Sequence, residues 1–197
     1  MILRDYQQRA IDDLYRWFEA YESGNPCLVL PTGSGKSHII AAICKHAVTT
    51  WPETRILMLT HVKELIEQNA EKMRLHWPDA PLGIYSAGMG IRTLDQITFA
   101  SIQSVRGLPH KIGYIDIVLI DECHTVSHKL QGGYRWLLDD LKRINPYLRV
   151  IGLTATPYRL GHGLITEEPA LFNALIEPVT IEELVFKKHL APLKSKI

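Results

Sequence analysis

The stretch Pro31-Thr32-Gly33-Ser34-Gly35-Lys36-Ser37 joins the residue types that a polyphosphate requires. Gly33 and Gly35 let the backbone turn tightly and aim several N–H groups inward. An apolar run, Cys27 to Leu30, precedes the loop and reads as a strand. A second apolar run, His38 to Cys44, follows it and reads as a helix. Strand, glycine-rich loop, Lys-Ser and helix is the order that sets a nucleoside triphosphate on a helix N-terminus. Lys36 is expected at the β and γ phosphates and the Ser37 hydroxyl on Mg²⁺. Thr32, Gly33, Ser34, Gly35 and His38 are the loop's remaining candidate nucleotide contacts. The plain alternative is a Gly-Ser-Gly turn without a ligand, and the flanking elements argue against it.

A second segment supplies carboxylates. The β-branched run Ile117-Val118-Leu119-Ile120 reads as a buried strand and ends in Asp121-Glu122-Cys123-His124. Carboxylates at the carboxyl end of a parallel strand lie where open α/β sheets bind ligands. Asp121 is expected to hold Mg²⁺ together with Ser37. Glu122 is expected to orient or deprotonate the attacking water.

Taken together, Pro-Thr-Gly-x-Gly-Lys-Ser and Asp-Glu-x-His resemble the superfamily-2 helicases and translocases, the DEAD/DExH-box group. The general phosphate-loop pattern wants Gly or Ala where this chain has Leu30, and the Pro-Thr-Gly variant is the helicase form. The resemblance runs over nearly the whole chain. Leu3-Arg4-Asp5-Tyr6-Gln7 is similar to the adenine-reading motif that precedes the phosphate loop. A Gln amide donates and accepts at once, so Gln7 suits the N6/N7 edge of adenine, with Arg4 as a second base contact. Leu59-Thr60-His61-Val62-Lys63-Glu64-Leu65 resembles motif Ia, with Thr60 expected to cap a helix.

Ser86-Ala87-Gly88 and Phe99-Ala100-Ser101-Ile102-Gln103-Ser104 resemble the next two backbone-contacting loops. The resemblance implies nucleic-acid contacts at Thr60, His61, Lys63, Ser86, Gly88, Ser101 and Gln103. Hydroxyls and free amides at helix starts suit phosphate oxygens, although such residues also serve as plain caps. Leu153-Thr154-Ala155-Thr156-Pro157 resembles motif III, which implies that Thr154, Ala155 and Thr156 couple hydrolysis to the nucleic acid. His124 is expected to bond to that loop or to a second domain. Within the group, the chain is most similar to the RadD-type bacterial DNA-repair helicases. The stretches behind that likeness include His61 to Leu65, Ser101 to Val105 and Leu153 to Gly161. Restriction-enzyme motor subunits share several of them.

These residues need a scaffold, and the sequence alternates the elements of one. Helices are expected at Tyr6 to Glu22, Lys36 to Thr49, Lys63 to His76, Ile102 to Gly107, Gly133 to Ile144 and Ile181 to Leu190. Strands are expected at Cys27 to Leu30, Arg55 to Leu59, Pro81 to Tyr85, Ile97 to Ala100, Ile115 to Ile120, Arg149 to Leu153 and Ile176 to Thr180. This alternation predicts an α/β domain, a mostly parallel sheet with helices on both faces and right-handed crossovers. It matches a RecA-like P-loop NTPase domain. Trp136, Leu137, Leu141 and Ile144 share helical spacing and are expected in the core rather than as a platform for bases.

Composition sets bounds on function. The chain has 197 residues, is 46% hydrophobic and carries a formal net charge of +1. That length and apolar content fit one domain with a sizeable core. Neither a Lys/Arg block nor a basic tail appears, so charge alone would not suggest nucleic acid. Cys27, Cys44 and Cys123 are odd in number and far apart, which disfavours a zinc site or a disulfide framework, including one built on Cys123, His124 and His128. Reduced thiols fit the cytoplasm. No apolar run is long enough to span a membrane, and no secretion signal is seen.

The resemblance assigns residues 1–178 to the first RecA-like domain. Residues 179–197 would begin a linker and a second such domain, truncated here. That second domain, with its arginine finger, and the RadD branch's zinc-binding cysteines have no counterpart in the sequence, which reads as a truncated chain or a split gene. The expected function is an ATP- and Mg²⁺-dependent motor domain of a DNA helicase or translocase. Its alternatives are a DExH-type RNA helicase, a restriction-enzyme motor and a non-catalytic nucleotide-binding module. A P-loop kinase is disfavoured by Asp-Glu-Cys-His and Thr-Ala-Thr-Pro. Intact Lys36, Asp121 and Glu122 argue against the non-catalytic module.

Overall fold

The computed structural model describes residues 3–125, 128–159, 163–167 and 170–191. The first helix, α1, is Asp5–Ala20, and β1 is Pro26–Val29. Helix α2 is Lys36–Thr50, β2 is Ile56–Thr60, α3 is Lys63–His76 and β3 is Leu82–Ser86. Then come β4 (Ile91–Arg92), β5 (Ile97–Ser101) and the one-turn helices α4 (Ile102–Val105) and α5 (Pro109–Ile112). Strand β6 is Ile117–Asp121, α6 is His128–Ile144 and β7 is Arg149–Thr154. The chain continues through β8 (Tyr158–Arg159), β9 (Gly163–Leu164), β10 (Ala174–Ile176) and α7 (Ile181–Phe186).

Among the described residues, eight strands form one sheet in the order β10-β1-β7-β6-β2-β5-β3-β4, and β8 pairs antiparallel with β9 apart from it. Every pairing in the large sheet is parallel except β3 with β4. The strands are apolar along their length because both faces are covered, as buried parallel strands require. Along β2 the side chains alternate between two cores. Ile56 and Met58 join α1, α2, α3 and α7 on one face, and Leu57 and Leu59 join α4, α5 and α6 on the other. The expected mostly parallel sheet with helices on both faces is therefore observed.

Several boundaries differ from expectation for identifiable reasons. Helix α6 begins at His128 rather than Gly133. Gly132 and Gly133 cost about 1 kcal/mol each in a helix interior, and burial of Tyr134, Leu137, Leu138 and Leu141 along one face opposes that cost. Trp136 lies off that face and is 72% exposed, so it is not a core residue. Strand β10 covers Ala174–Ile176, in register with Pro26 to Leu28, and stops short of Pro178. Proline has no N–H to give a ladder. Helix α7 ends at Phe186, four residues early. Lys188 takes φ 58°, and the N–H groups of His189 and Leu190 both turn back to Leu184 O.

The expected cap of α7 is present, with Thr180 Oγ1 accepting from Glu183 N–H at 3.1 Å. Thr60, by contrast, does not cap α3. It is the last residue of β2, and its Oγ1 accepts from Val62 N–H at 3.3 Å, while Val62 itself is the N-cap. Two residues of turn separate strand and helix, which puts the hydroxyl out of reach of the first helical amides. Leu160, Gly161, residues 192–197 of the expected linker and the side chain of His128 lie outside the described residues.

Gly152, in β7, shows how tightly the strands that carry the site are packed. A Cβ there would lie 2.7 Å from Phe172 and 2.9 Å from Cys123 Sγ. Gly152→Ala is expected to lower stability by about 1–3 kcal/mol, the usual cost of overpacking. Urea unfolding of the variant beside the wild type measures it.

Candidate nucleotide-binding site

The phosphate loop leaves β1 beside β7, where Leu30 N–H donates to Thr154 O at 2.8 Å. Gly33 and Gly35 adopt φ 80° and 83°, a region that other residues enter only with strain. Two bonds fix the loop to α1. Tyr6 Oη and Gln7 Nε2 both donate to Ser34 O, at 2.7 and 3.0 Å. Gln7 Oε1 accepts from Arg4 N–H at 3.0 Å, so the same amide also closes the start of α1. Two adjoining cavities flank the loop. The smaller, about 250 Å³, is lined by Arg4, Gln7, Gly33, Ser34, Gly35, His38 and His76. The larger, about 350 Å³, includes Thr32, Lys36, Ser37, Lys72, Asp121 and Glu122 in its walls. Gly33, Gly35 and His38 belong to both.

The carboxylates expected at the end of β6 open onto the larger cavity. Asp121 is almost fully buried. Its Oδ2 accepts from Asn69 Nδ2 at 2.8 Å and its Oδ1 from Glu122 N–H at 3.0 Å. Burial raises its pKa, and the Asn69 bond opposes the rise. Glu122 turns away from the strand at φ 49°, an uncommon conformation for a non-glycine residue. That turn carries Glu122 Oε1 to 3.1 Å from Lys36 Nζ and Oε2 to 3.3 Å from His124 Nδ1.

His124 Nδ1 also lies 2.7 Å from Thr154 Oγ1. Thr154 Oγ1 donates to Thr156 O and accepts from Thr156 N–H, both at 3.1 Å. A hydroxyl has one proton to give, so this pattern assigns the proton to His124 Nδ1. Of the two partners expected for His124 from the sequence, the 154–156 loop is the one it contacts here. His61 sits nearby, its pKa lowered by burial and by His124.

The oxygen donors fit magnesium. Ser37 and Asp121 line one cavity, and among the described residues no group of three or more His, Cys, Asp or Glu side chains could cage a metal. Mg²⁺ characteristically takes one or two protein oxygens and completes its shell with phosphates and water.

The residues expected to touch nucleic acid gather at the carboxyl ends of β2, β5 and β3. Thr60 pairs with Ser101, and Tyr85, next to Ser86, pairs with Ala100. Ala87 N–H donates to Ser104 Oγ at 2.9 Å, which in turn lies 2.7 Å from Ser101 Oγ. Ser86 Oγ is buried and has no partner among the described residues. Gly88 and Gln103 are exposed, as is Lys63, which pairs with Glu67 at 3.7 Å.

Sequence reading missed Tyr6, which anchors Ser34, and Asn69, which anchors Asp121. It also missed Lys72 and His76. An amide amid the buried Ile66, Ala70 and Met73 was the one available signal for Asn69.

The family described as type III restriction enzyme, res subunit, matches residues 1–159. The chain belongs to that family. Among its relatives, a mouse ATP-dependent RNA helicase, DHX58, is 28% identical over 181 residues, covering 80% of this chain and 25% of that protein. The Drosophila melanogaster DEAD-box ATP-dependent DNA helicase Fancm is 25% identical over 175 residues, covering 80% and 11%. The UvsW helicase of bacteriophage T4 superposes with a TM-score of 0.68 at 21% identity, over 90% of this chain and 61% of that one. The chain is thus a helicase-type ATP-binding motor domain with a RecA-like fold, and it spans a quarter or less of the two relatives' lengths.

Because its pKa is raised on folding, Asp121 binds its proton more tightly in the native than in the unfolded chain. Its contribution to stability is therefore lost as pH rises from 3.8 through the folded value, and the loss is complete at higher pH. Asp121→Asn removes this titration but sets an NH₂ group where one oxygen accepted. The change in melting temperature between about pH 4 and pH 7 attributable to Asp121 is therefore expected to vanish in the variant, on top of a pH-independent offset. Thermal melts across that range decide it, and a variant whose melting temperature falls with rising pH as steeply as the wild type's contradicts the reading.

Proposed function

We propose that this chain is the ATP-driven motor domain of a protein that moves along nucleic acid, with DNA as the polymer. The observation that carries the reading is the meeting of Lys36 and Glu122 across a cavity that Ser37 and Asp121 also line. The loop amides and Lys36 would bind the β and γ phosphates. Ser37 and Asp121 would hold Mg²⁺, which when bound neutralises phosphate charge and orients the triphosphate. Glu122, released from Lys36 by the phosphates, would orient the attacking water and take up its proton. Gln7 and Arg4, in the wall of the smaller cavity, would contact the base.

Coupling would run through His124. Its Nδ1 lies 3.3 Å from Glu122 Oε2 and 2.7 Å from Thr154 Oγ1, so a displacement of Glu122 would be felt through the imidazole at the Thr154–Thr156 loop. Thr60, His61, Lys63, Ser86, Gly88, Ser101 and Gln103 would face the nucleic-acid backbone. With a net charge of +1 the grip would rest on hydroxyls and amides more than on a basic surface. An RNA-directed motor is the second reading, supported by the identity to a mouse protein named as an RNA helicase.

Among the described residues, no arginine lines the cavity that would take the phosphates. A second RecA-like domain would supply one, and such a finger contributes about 10³–10⁵ in rate in related NTPases. The 197-residue chain is therefore expected to turn over ATP very slowly. Steady-state assays with no polymer, single-stranded DNA, duplex DNA or RNA test this, with Lys36→Ala as control. Fast turnover by the chain alone, abolished by Lys36→Ala, would contradict the need for a second domain. Stimulation by RNA and not DNA would select the second reading.

A further inference from the structure

Leu65, Gln68, Lys72 and His76 recur along one side of α3, at spacings of three and four residues. The first three line the larger cavity, and His76 lines the smaller. Neither the phosphate loop nor the carboxylate segment contains any of them. From this placement we propose that α3 is a third wall of the nucleotide site. Lys72 serves there as a second cation for the triphosphate, and His76 holds His38 against the nucleoside. The inference rests on the nucleotide-binding reading above and adds residues to it.

The charges in the larger cavity explain the need for Lys72. Asp121 and Glu122 both face the space that a polyanion would enter, and Lys36 is already paired with Glu122 at 3.1 Å. Lys72 is the other cation in that wall. Its ion pair among the described residues is a long one, 3.9 Å to Glu71, whose side chain is 75% exposed. An ammonium so weakly engaged, on a flexible stem, can turn to a phosphate oxygen without breaking a buried bond.

His76 works through geometry. A hydrogen bond joins His38 Nδ1 to His76 Nε2, and the ring centroids lie 4.6 Å apart. That bond ties the last turn of α3 to the first turn of α2. It fixes the ring of His38, which borders both cavities. Arg4 and Gln7 line the smaller cavity with the two histidines. A base or ribose there would meet both the Arg4–Gln7 pair and the imidazole pair. His76 is thus a positioning residue.

Calorimetric titration of the full chain with ATP and with inorganic tripolyphosphate, both with Mg²⁺, separates the two roles. Lys72→Ala is expected to weaken both ligands about tenfold, as loss of one charge-assisted bond does. His76→Ala is expected to weaken ATP several-fold, on the order of one hydrogen bond, and to leave tripolyphosphate unchanged. His76→Gln, which can still bond to His38, is expected to recover part of the ATP affinity. Lys72→Gln keeps most of the stem if Lys72→Ala melts early. Wild-type binding by the Lys72 and His76 variants, with Lys36→Ala defective, would overturn the third wall and leave the nucleotide site standing. Equal losses for both ligands in His76→Ala would overturn its link to the nucleoside. Wild-type binding by Lys36→Ala would instead overturn the nucleotide reading beneath.

Discussion

The contact between Lys36 and Glu122 organises the carboxyl end of the sheet. Their side chains are only 12% and 23% exposed, so neither charge is fully hydrated and each depends on the other. Lys36 is placed by the first turn of α2, and Glu122 by a left-handed backbone step just after β6. A dipeptide bend of that kind costs free energy and persists only where the surroundings impose it. Here they do. Cys123, the next residue, packs its sulfur 3.4 Å from Cys27 Sγ in β1, and His124 is held by Thr154 at the end of β7. Three neighbouring strands therefore converge on one ion pair. On the proposed function, a triphosphate entering the cavity would offer Lys36 a better partner and free Glu122, so that ligand entry and the arming of the carboxylate would be a single event.

The glycine-rich loop is held from outside the sheet. Ser34 O accepts two side-chain bonds from α1, and α1 is in turn bound to the C-terminal helix, with Arg9 paired to Glu183 at 2.7 Å and Lys187 bonded to Asp5. The ring of His189 lies 5.5 Å from that of Tyr6, and Leu190 packs against Gly33. Residues near both ends of the chain thus touch the phosphate loop.

The sheet and most of its helices were legible in the sequence because their signals are local. Apolar runs bounded by glycine, proline and polar residues give parallel strands, and α1 announces itself through the spacing of Ile11, Leu14, Tyr15 and Phe18. The phosphate loop and the carboxylate pair were legible because chemistry fixes their spacing. Two kinds of feature were not. Trp136 was misplaced because the apolar stripe of α6 runs through Tyr134, Leu137 and Leu141, and a rotation of one residue decides which aromatic faces water. Asn69, Lys72 and His76 were missed because their roles come from how α3 packs beside α2, a tertiary fact with no local pattern. The two-residue strand β4 was missed for a similar reason, since its pairing with β3 depends on the turn through Gly90.

The central claim is that Glu122 holds Lys36 until phosphate replaces it. Calorimetric binding of ATP to Glu122→Gln, compared with the wild type, tests this directly. Removal of the carboxylate charge frees Lys36 and lowers the negative potential in the cavity, so the variant should bind ATP several-fold more tightly. Equal or weaker binding would mean that the ion pair is not what the nucleotide displaces.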